Sequence, residues 1–213
     1  NPGPQGGMVS AYTDHERVIA ALMSAGCDAV WPGWGFIAED ASFVAALEER
    51  GITFIGPSSV AMQRLGDKIE AKLIAQQAGV PMAAWHIVQE GEPLATTIEA
   101  ARRIGFPLVV KASAGGGGRG IRVIAEPKAL AGALRAVQDE ATRSFRAGGI
   151  FLEACVVAAR HIEVQLVVGA DGVGSALGIR DCSIQRRHQK VIEEAPSPVV
   201  AGALQAELER SAA

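Results

Sequence analysis

"KASAGGGGRGIRVI", residues 111–124, places four consecutive glycines between two apolar stretches. "FPLVV" (106–110) leads into it as a short buried strand, and Ile121, Val123 and Ile124 alternate with Arg122 as a second strand. Glycine loses more backbone entropy on folding than any other residue, so a run of four is costly unless the backbone must be free or closely approached. Gly115, Gly117 and Gly120 satisfy G-x-G-x-x-G, but a dinucleotide fingerprint needs a helix after the last glycine, and here a strand follows. No Lys-Ser or Lys-Thr follows either, which excludes the P-loop. The remaining reading is a glycine hairpin whose bare N–H groups can close over phosphates, with Lys111 at the end of its first strand. A plain surface turn is the competing reading; the regularity of the flanking strands speaks against it.

Outward from the hairpin, residues 83–155 read as strand, helix, strand, glycine turn, strand, helix, strand, a compact α+β lid. Before it, "TDHERVIAALMSAG" carries a capping box, Thr13 with Glu16, and opens a segment in which strand and helix alternate up to "ITFIGPS". That alternation predicts part of a doubly wound, mostly parallel α/β domain over 1–57. Residues 58–82 turn helical, with a break at Gly66 and a restart at Asp67 and Glu70. After the lid, "RHIEVQLVVGADG" and "GSALGIRDCSIQRRHQKVIEEAP" alternate polar and apolar residues, so each is expected as one half-buried strand, joined at Asp171-Gly172. In the first, His161, Glu163 and Gln165 share a face; in the second, His188 and Lys190 do, near Gln185. Two polar strand faces beside a glycine flap suggest a nucleotide held between two sheets. The final "AGALQAELERSAA" begins a helix, so 156–213 is expected as the start of a further domain.

Composition sets bounds. With 49% hydrophobic and 20% charged residues the chain is an ordinary globular one, and its net charge of −3 gives no reason to expect nucleic acid or a membrane surface as partner. "RRHQK" as a nucleic-acid patch is set aside because it lies inside an alternating strand. Cys27, Cys155 and Cys182 are odd in number and lack C-x-x-C spacing, which predicts reduced thiols and a cytoplasmic protein. The absence of an initiating Met and the stop soon after the densest polar motif suggest a piece of a larger polypeptide.

Together these residues resemble the biotin carboxylase component of biotin-dependent carboxylases, a branch of the ATP-grasp enzymes. "WPGWGFIAED", "FIGPSSVAMQRLGDK", "VVKASAGGGGRGIRVI" and, most specifically, "RDCSIQRRHQKVIEEAPSP" carry the resemblance along nearly the whole chain. It implies an incomplete ATP-grasp fold: a partial N-terminal domain (1–57), a helical linker (58–82), the lid with its flap (83–155) and the beginning of the C-terminal subdomain (156–213). It implies that Lys68 and Lys111 contact ATP phosphates and that Gly117 and Gly118 lie in the flap that closes on them. Glu153, Ala154, Cys155 and Val156 would read adenine, largely through backbone; Ala154 stands where many members have lysine. His161, Gln185 and His188 would line the ribose and phosphate region, and Lys190 would reach the γ-phosphate and bicarbonate as the catalytic residue.

The implied reaction phosphorylates bicarbonate with ATP and Mg2+ and carboxylates biotin held on a carrier domain. A carboxyltransferase would be a further partner, and the parent is expected to form homo-oligomers. In the family the magnesium, base and arginine positions come later than the matched stretch, so these residues alone are expected to be inactive. Trp31, Trp34 and the "HQKVIEEAPSP" ending lean toward acetyl-CoA, the fatty acid synthesis substrate, or propionyl-CoA as final acceptor. The alternatives are another ATP-grasp ligase such as a carbamoyl-phosphate synthetase half, and a nucleotide-binding module that has lost its chemistry.

Overall fold

The computed structural model describes residues 11–113, 120–145, 149–169, 171–186 and 189–213. The chain divides into two compact units, one ending at Asp67 and one running from Lys68 to Ala213.

In the first unit, helices α1 (His15–Ser24), α2 (Ala41–Glu48) and α3 (Ser59–Gly66) alternate with two short strands, β1 (Ala29–Val30) and β2 (Thr53–Phe54). The strands pair in parallel, Ala29 opposite Thr53 and Val30 opposite Phe54, as the α/β alternation predicts. Ile19 of α1 and Phe43 and Leu47 of α2 meet Ile52 in a buried core. Helix α1 is capped one residue later than the capping box places it. The Asp14 carboxylate, not the Thr13 hydroxyl, accepts from the Arg17 amide at 3.2 Å, consistent with the stronger N-cap preference of aspartate. Asp40 caps α2 by accepting from the Ser42 and Phe43 amides at 2.9 and 3.2 Å, and His15 Nε2 lies 3.0 Å from its other oxygen. Between β1 and α2, Trp31, Trp34 and Phe36 are exposed, Trp34 fully.

The second unit opens with α4 (Lys68–Gln77), then β3 (Trp85–Val88), α5 (Leu94–Ile104), β4 (Leu108–Ala112), β5 (Ile121–Ile124), α6 (Leu130–Phe145) and β6 (Ile150–Ala154). The element order is the one read from the sequence. The four strands form an antiparallel sheet in the order β3-β6-β4-β5. Register decides what each face carries, because side chains alternate along a strand and directly paired residues share a side. Leu108, Val110 and Ala112 of β4 lie on the side of Leu152 and Ile150 of β6 and Ile124 of β5, and these pack with Leu130, Val137 and Ala141 of α6 into the main core. The opposite side carries Trp85, Phe151, Glu153, Val109 and Lys111. "LVV" is a continuous apolar run because Val109, on that second side, is also buried.

A second sheet, β7-β8-β9, is built from β7 (Ile162–Val168), β8 (Gly174–Arg186) and β9 (Gln189–Glu194), all antiparallel, followed by α7 (Gly202–Ala212). The Asp171-Gly172 turn is present: Gly172 takes a φ of +77°, and the Asp171 carboxylate accepts from the Val173 amide at 3.0 Å. The stretch "GSALGIRDCSIQRRHQKVIEEAP", however, is two strands and not one. Arg186 pairs with Gln189 and Gln185 with Lys190, so the chain doubles back where neither glycine, proline nor asparagine marks a turn. Register shifts after Val164 and between Asp181 and Gln185 further break the strict alternation expected there.

Candidate functional site

Lys111 and Glu153 are brought together by the pairing of β4 with β6, on the side of the sheet turned away from the core. Lys111 Nζ lies 3.4 Å from Glu153 Oε2. A third group joins them from α4: Lys72 Nζ lies 3.1 Å from the same oxygen, 5.4 Å from the centre of the Trp85 ring and 5.8 Å from that of Phe151. Sequence reasoning misses Lys72. Its only signal is the spacing from Lys68, four residues earlier, which places both ammonium groups on one side of α4.

The glycine hairpin is anchored at both roots. At the first, the Ser113 amide donates to Gly149 O at 2.8 Å, and the Ser113 carbonyl accepts from both the Lys68 amide (3.2 Å) and Lys68 Nζ (3.3 Å). At the second, Gly120 O accepts from the Ala112 amide at 3.0 Å, and the Gly120 amide donates to Glu140 Oε1 at 3.1 Å. Arg122 Nη2 donates to the other Glu140 oxygen at 2.9 Å, tying the hairpin root to α6. Gly120 adopts a φ of +67°, and a Cβ there would lie 3.1 Å from that of Ala112. Gly117 and Gly118, expected in the flap, lie outside the described residues, as does His188.

The 153–156 segment leaves the sheet at Ala154. The Ala154 amide donates to Ala84 O at 2.9 Å and the Cys155 amide to Pro107 O at 3.1 Å, so both are engaged within the fold. Val156, with two-thirds of its surface exposed, follows them.

On the second sheet a separate network gathers His161, Gln185 and Lys190 around Glu163. Glu163 Oε1 accepts from His161 Nε2 (2.9 Å) and Lys190 Nζ, and Oε2 accepts from Arg180 Nη2 at 2.6 Å. His161 Nδ1 accepts from Gln185 Nε2 at 2.9 Å, and Gln185 also donates to Cys182 O at 2.8 Å. The Nε2–H tautomer of His161 satisfies both contacts. Arg180 reaches on to Glu193 Oε2 at 2.5 Å. Burial alone would raise the Glu163 carboxyl; hydrogen bonds from Lys190 and Arg180 and their charges outweigh it and bring it down to about 2. Gln185 and Lys190 face each other across the hairpin, which is how they meet although the alternation predicts a single strand for both. In the sequence Glu163 shows only as part of a polar face and Arg180 does not stand out, because a pairing partner thirteen or more residues away leaves no local signal.

The two antiparallel sheets and the hairpin that joins β4 to β5 make up an ATP-grasp fold, and similarity to known proteins agrees. The chain belongs to the family described as "Carbamoyl-phosphate synthase L chain, ATP binding domain", which it matches over residues 67–213, preceded by a match to "Biotin carboxylase, N-terminal domain" over 4–62. It is 42% identical over 197 residues to the biotin carboxylase of Halalkalibacterium halodurans, a match covering 92% of this chain and 43% of that protein. It is 40% identical over 190 residues to the propionyl-CoA carboxylase alpha chain of Ruegeria pomeroyi, covering 88% and 28%. Among solved structures it is similar to the biotin carboxylase domain dimer of Hydrogenobacter thermophilus 2-oxoglutarate carboxylase in complex with MgADP, ADP and bicarbonate. That match has a TM-score of 0.87 at 35% identity and covers 98% of this chain and 46% of that one. The chain thus spans less than half the length of the proteins it matches here.

Proposed function

We propose that this chain supplies much of the ATP site of a biotin carboxylase, within a polypeptide that uses ATP and bicarbonate to carboxylate biotin. The observation that carries the reading is the placement of Lys111 and Glu153 on the sheet side facing away from the core, at the root of the glycine hairpin and beside Lys68. Lysines act as point charges toward phosphate and glycine amides as a cradle, and phosphoryl transfer asks mainly for positioning and charge neutralisation. In this reading a bicarbonate oxygen attacks the γ-phosphorus, the bond to the β,γ-bridging oxygen breaks, and ADP leaves carboxyphosphate behind. The carboxyl group then passes to N1 of biotin, and the departing phosphate takes up the N1 proton. Lys68 and Lys111 hold the phosphates, with Gly117 and Gly118 closing over them. Lys190 reaches the γ-phosphate and bicarbonate, while His161, Gln185 and His188 line the ribose side. With the Ala154 and Cys155 amides engaged internally, Val156 is the residue of the 153–156 segment best placed to offer its amide to adenine.

Magnesium is implied by the reaction, but the described residues do not fit it. No three His, Cys, Asp or Glu side chains among them gather as a metal site, and Glu153, Glu163 and Glu193 are all held by lysine or arginine. No step is therefore assigned to a metal through these residues. The reading extends to the domain partition 1–57, 58–82, 83–155 and 156–213. It extends also to a biotin carrier, a carboxyltransferase with an acyl-CoA acceptor, a homo-oligomeric parent, and a cytoplasmic setting in which Cys27, Cys155 and Cys182 stay free, as they are here.

The test supplies Mg-ATP, bicarbonate and free biotin to the polypeptide its gene encodes and looks for carboxybiotin and ADP by mass spectrometry. Carboxybiotin that disappears when bicarbonate is withheld is the expected result. ADP formed only with ammonia would point instead to carbamoyl phosphate synthesis, and ATP binding with no product to a nucleotide-binding module.

A further inference from the structure

Glu153 Oε2 is shared by two ammonium groups, Lys72 at 3.1 Å and Lys111 at 3.4 Å, and the three side chains are only 18%, 25% and 18% exposed for Lys72, Lys111 and Glu153. Under the nucleotide-site reading above, on which this inference rests, Lys111 must also turn to phosphate when ATP binds. A lysine paired alone with a largely buried carboxylate could do so only by leaving that carboxylate uncompensated, which is strongly unfavourable. Lys72 removes the difficulty. It comes from α4 rather than from the sheet, and its head lies within 6 Å of the centres of the Trp85 and Phe151 rings, where aromatic faces favour a cation. It also makes the shorter of the two contacts to Glu153.

We infer that Lys72 is a positioning residue for phosphate binding: it keeps Glu153 neutralised so that Lys111 is free to move from carboxylate to phosphate. Lys72 does not touch the nucleotide in this scheme; it acts through Glu153 on Lys111.

The experiment compares the affinities of ATP and of adenosine, which needs the same fold but no phosphate contact, across the parent protein and three variants. Lys72→Met is expected to weaken ATP binding about tenfold, the scale of leaving one charged partner unmatched, while adenosine changes by less than about twofold. Lys72→Arg retains a cation and is expected to keep ATP affinity near that of the parent. The decisive variant is Lys72→Met combined with Glu153→Gln, in which no carboxylate remains to hold Lys111 back; ATP affinity is expected to return. Should Lys72→Met fail to fold, Lys72→Gln takes its place alone and in the combination.

An unchanged ATP affinity in Lys72→Met would overturn the inference while leaving the nucleotide reading intact. Equal loss of ATP and adenosine binding would overturn it in favour of a packing role on Trp85 and Phe151. A loss that Glu153→Gln does not reverse would overturn it in favour of direct contact between Lys72 and phosphate. Failure of the parent protein to bind ATP at all would bring down the proposed function, and this inference with it.

Discussion

Glu163 holds three cationic or ionisable side chains at once, and its own charge is what keeps them together. Its folded-state pKa of about 2 lies below the ordinary 4.5, so its contribution to stability is complete above pH 4.5 and is lost as pH falls through about 2. Carboxyl NMR should find it titrating well below the exposed glutamates; a midpoint near 4.5 would break this account of the network. Lys111→Ala and Lys190→Ala are each expected to weaken ATP binding by roughly 1.5–3 kcal/mol, the range for a hydrogen bond to a charged group, and calorimetry would measure it. Glycine matters at one described position of the hairpin in particular. Gly120→Ala must place an L-residue in the left-handed region beside Ala112, and a loss of about 1–2 kcal/mol is expected from the backbone alone. Thermal unfolding checks this, and a neutral result would mean that the root of the hairpin relaxes freely.

Elements are legible in the sequence where a local signal exists. The lid's strands and helices follow from apolar period and from the glycines that separate β4 from β5, and the Asp171-Gly172 turn announces itself by composition. The second sheet is only half legible. In "SIQRRHQKVIEE" six consecutive polar residues, 185–190, interrupt the alternation but none is a glycine, proline or asparagine, so the reversal that pairs Gln185 with Lys190 is set by tertiary contacts, Glu163 receiving Lys190 from one strand and Arg180 from its neighbour. The cap of α1 shifts by a single residue because Thr13 and Asp14 both qualify and the carboxylate wins. Asp40 is the clearer cap, and Asp40→Ala is expected to lower the stability of the first unit by about 1–2 kcal/mol, since two amides lose their acceptor. Lys72 is invisible for a different reason: nothing in a sequence says which of several helix lysines will rest against two aromatic rings from distant strands.

Across the whole molecule, the candidate ATP contacts fall between Lys68 and Lys190, all within the second unit. ATP is therefore expected to slow amide exchange there, and most in β4 and β6, with little effect on residues 11–67. Ligand linkage should raise the melting temperature with ATP concentration; uniform protection of both units would contradict the assignment. The division of the β3-β6-β4-β5 sheet into a core side and a site side has a further consequence for how the chain tolerates change. Along β4 and β6 neighbouring residues answer to different demands: Leu108, Val110, Leu152 and Ile150 to folding, Lys111 and Glu153, in the proposed reading, to ligand binding. Truncating Leu152 to Ala should cost about 2–5 kcal/mol and deplete soluble protein, whereas Glu153→Gln, one position on, is expected to alter ligand handling more than abundance. A mutational scan would then separate the two demands at Lys111 and Glu153, while Val109 and Phe151, buried on the same side, would still register in abundance.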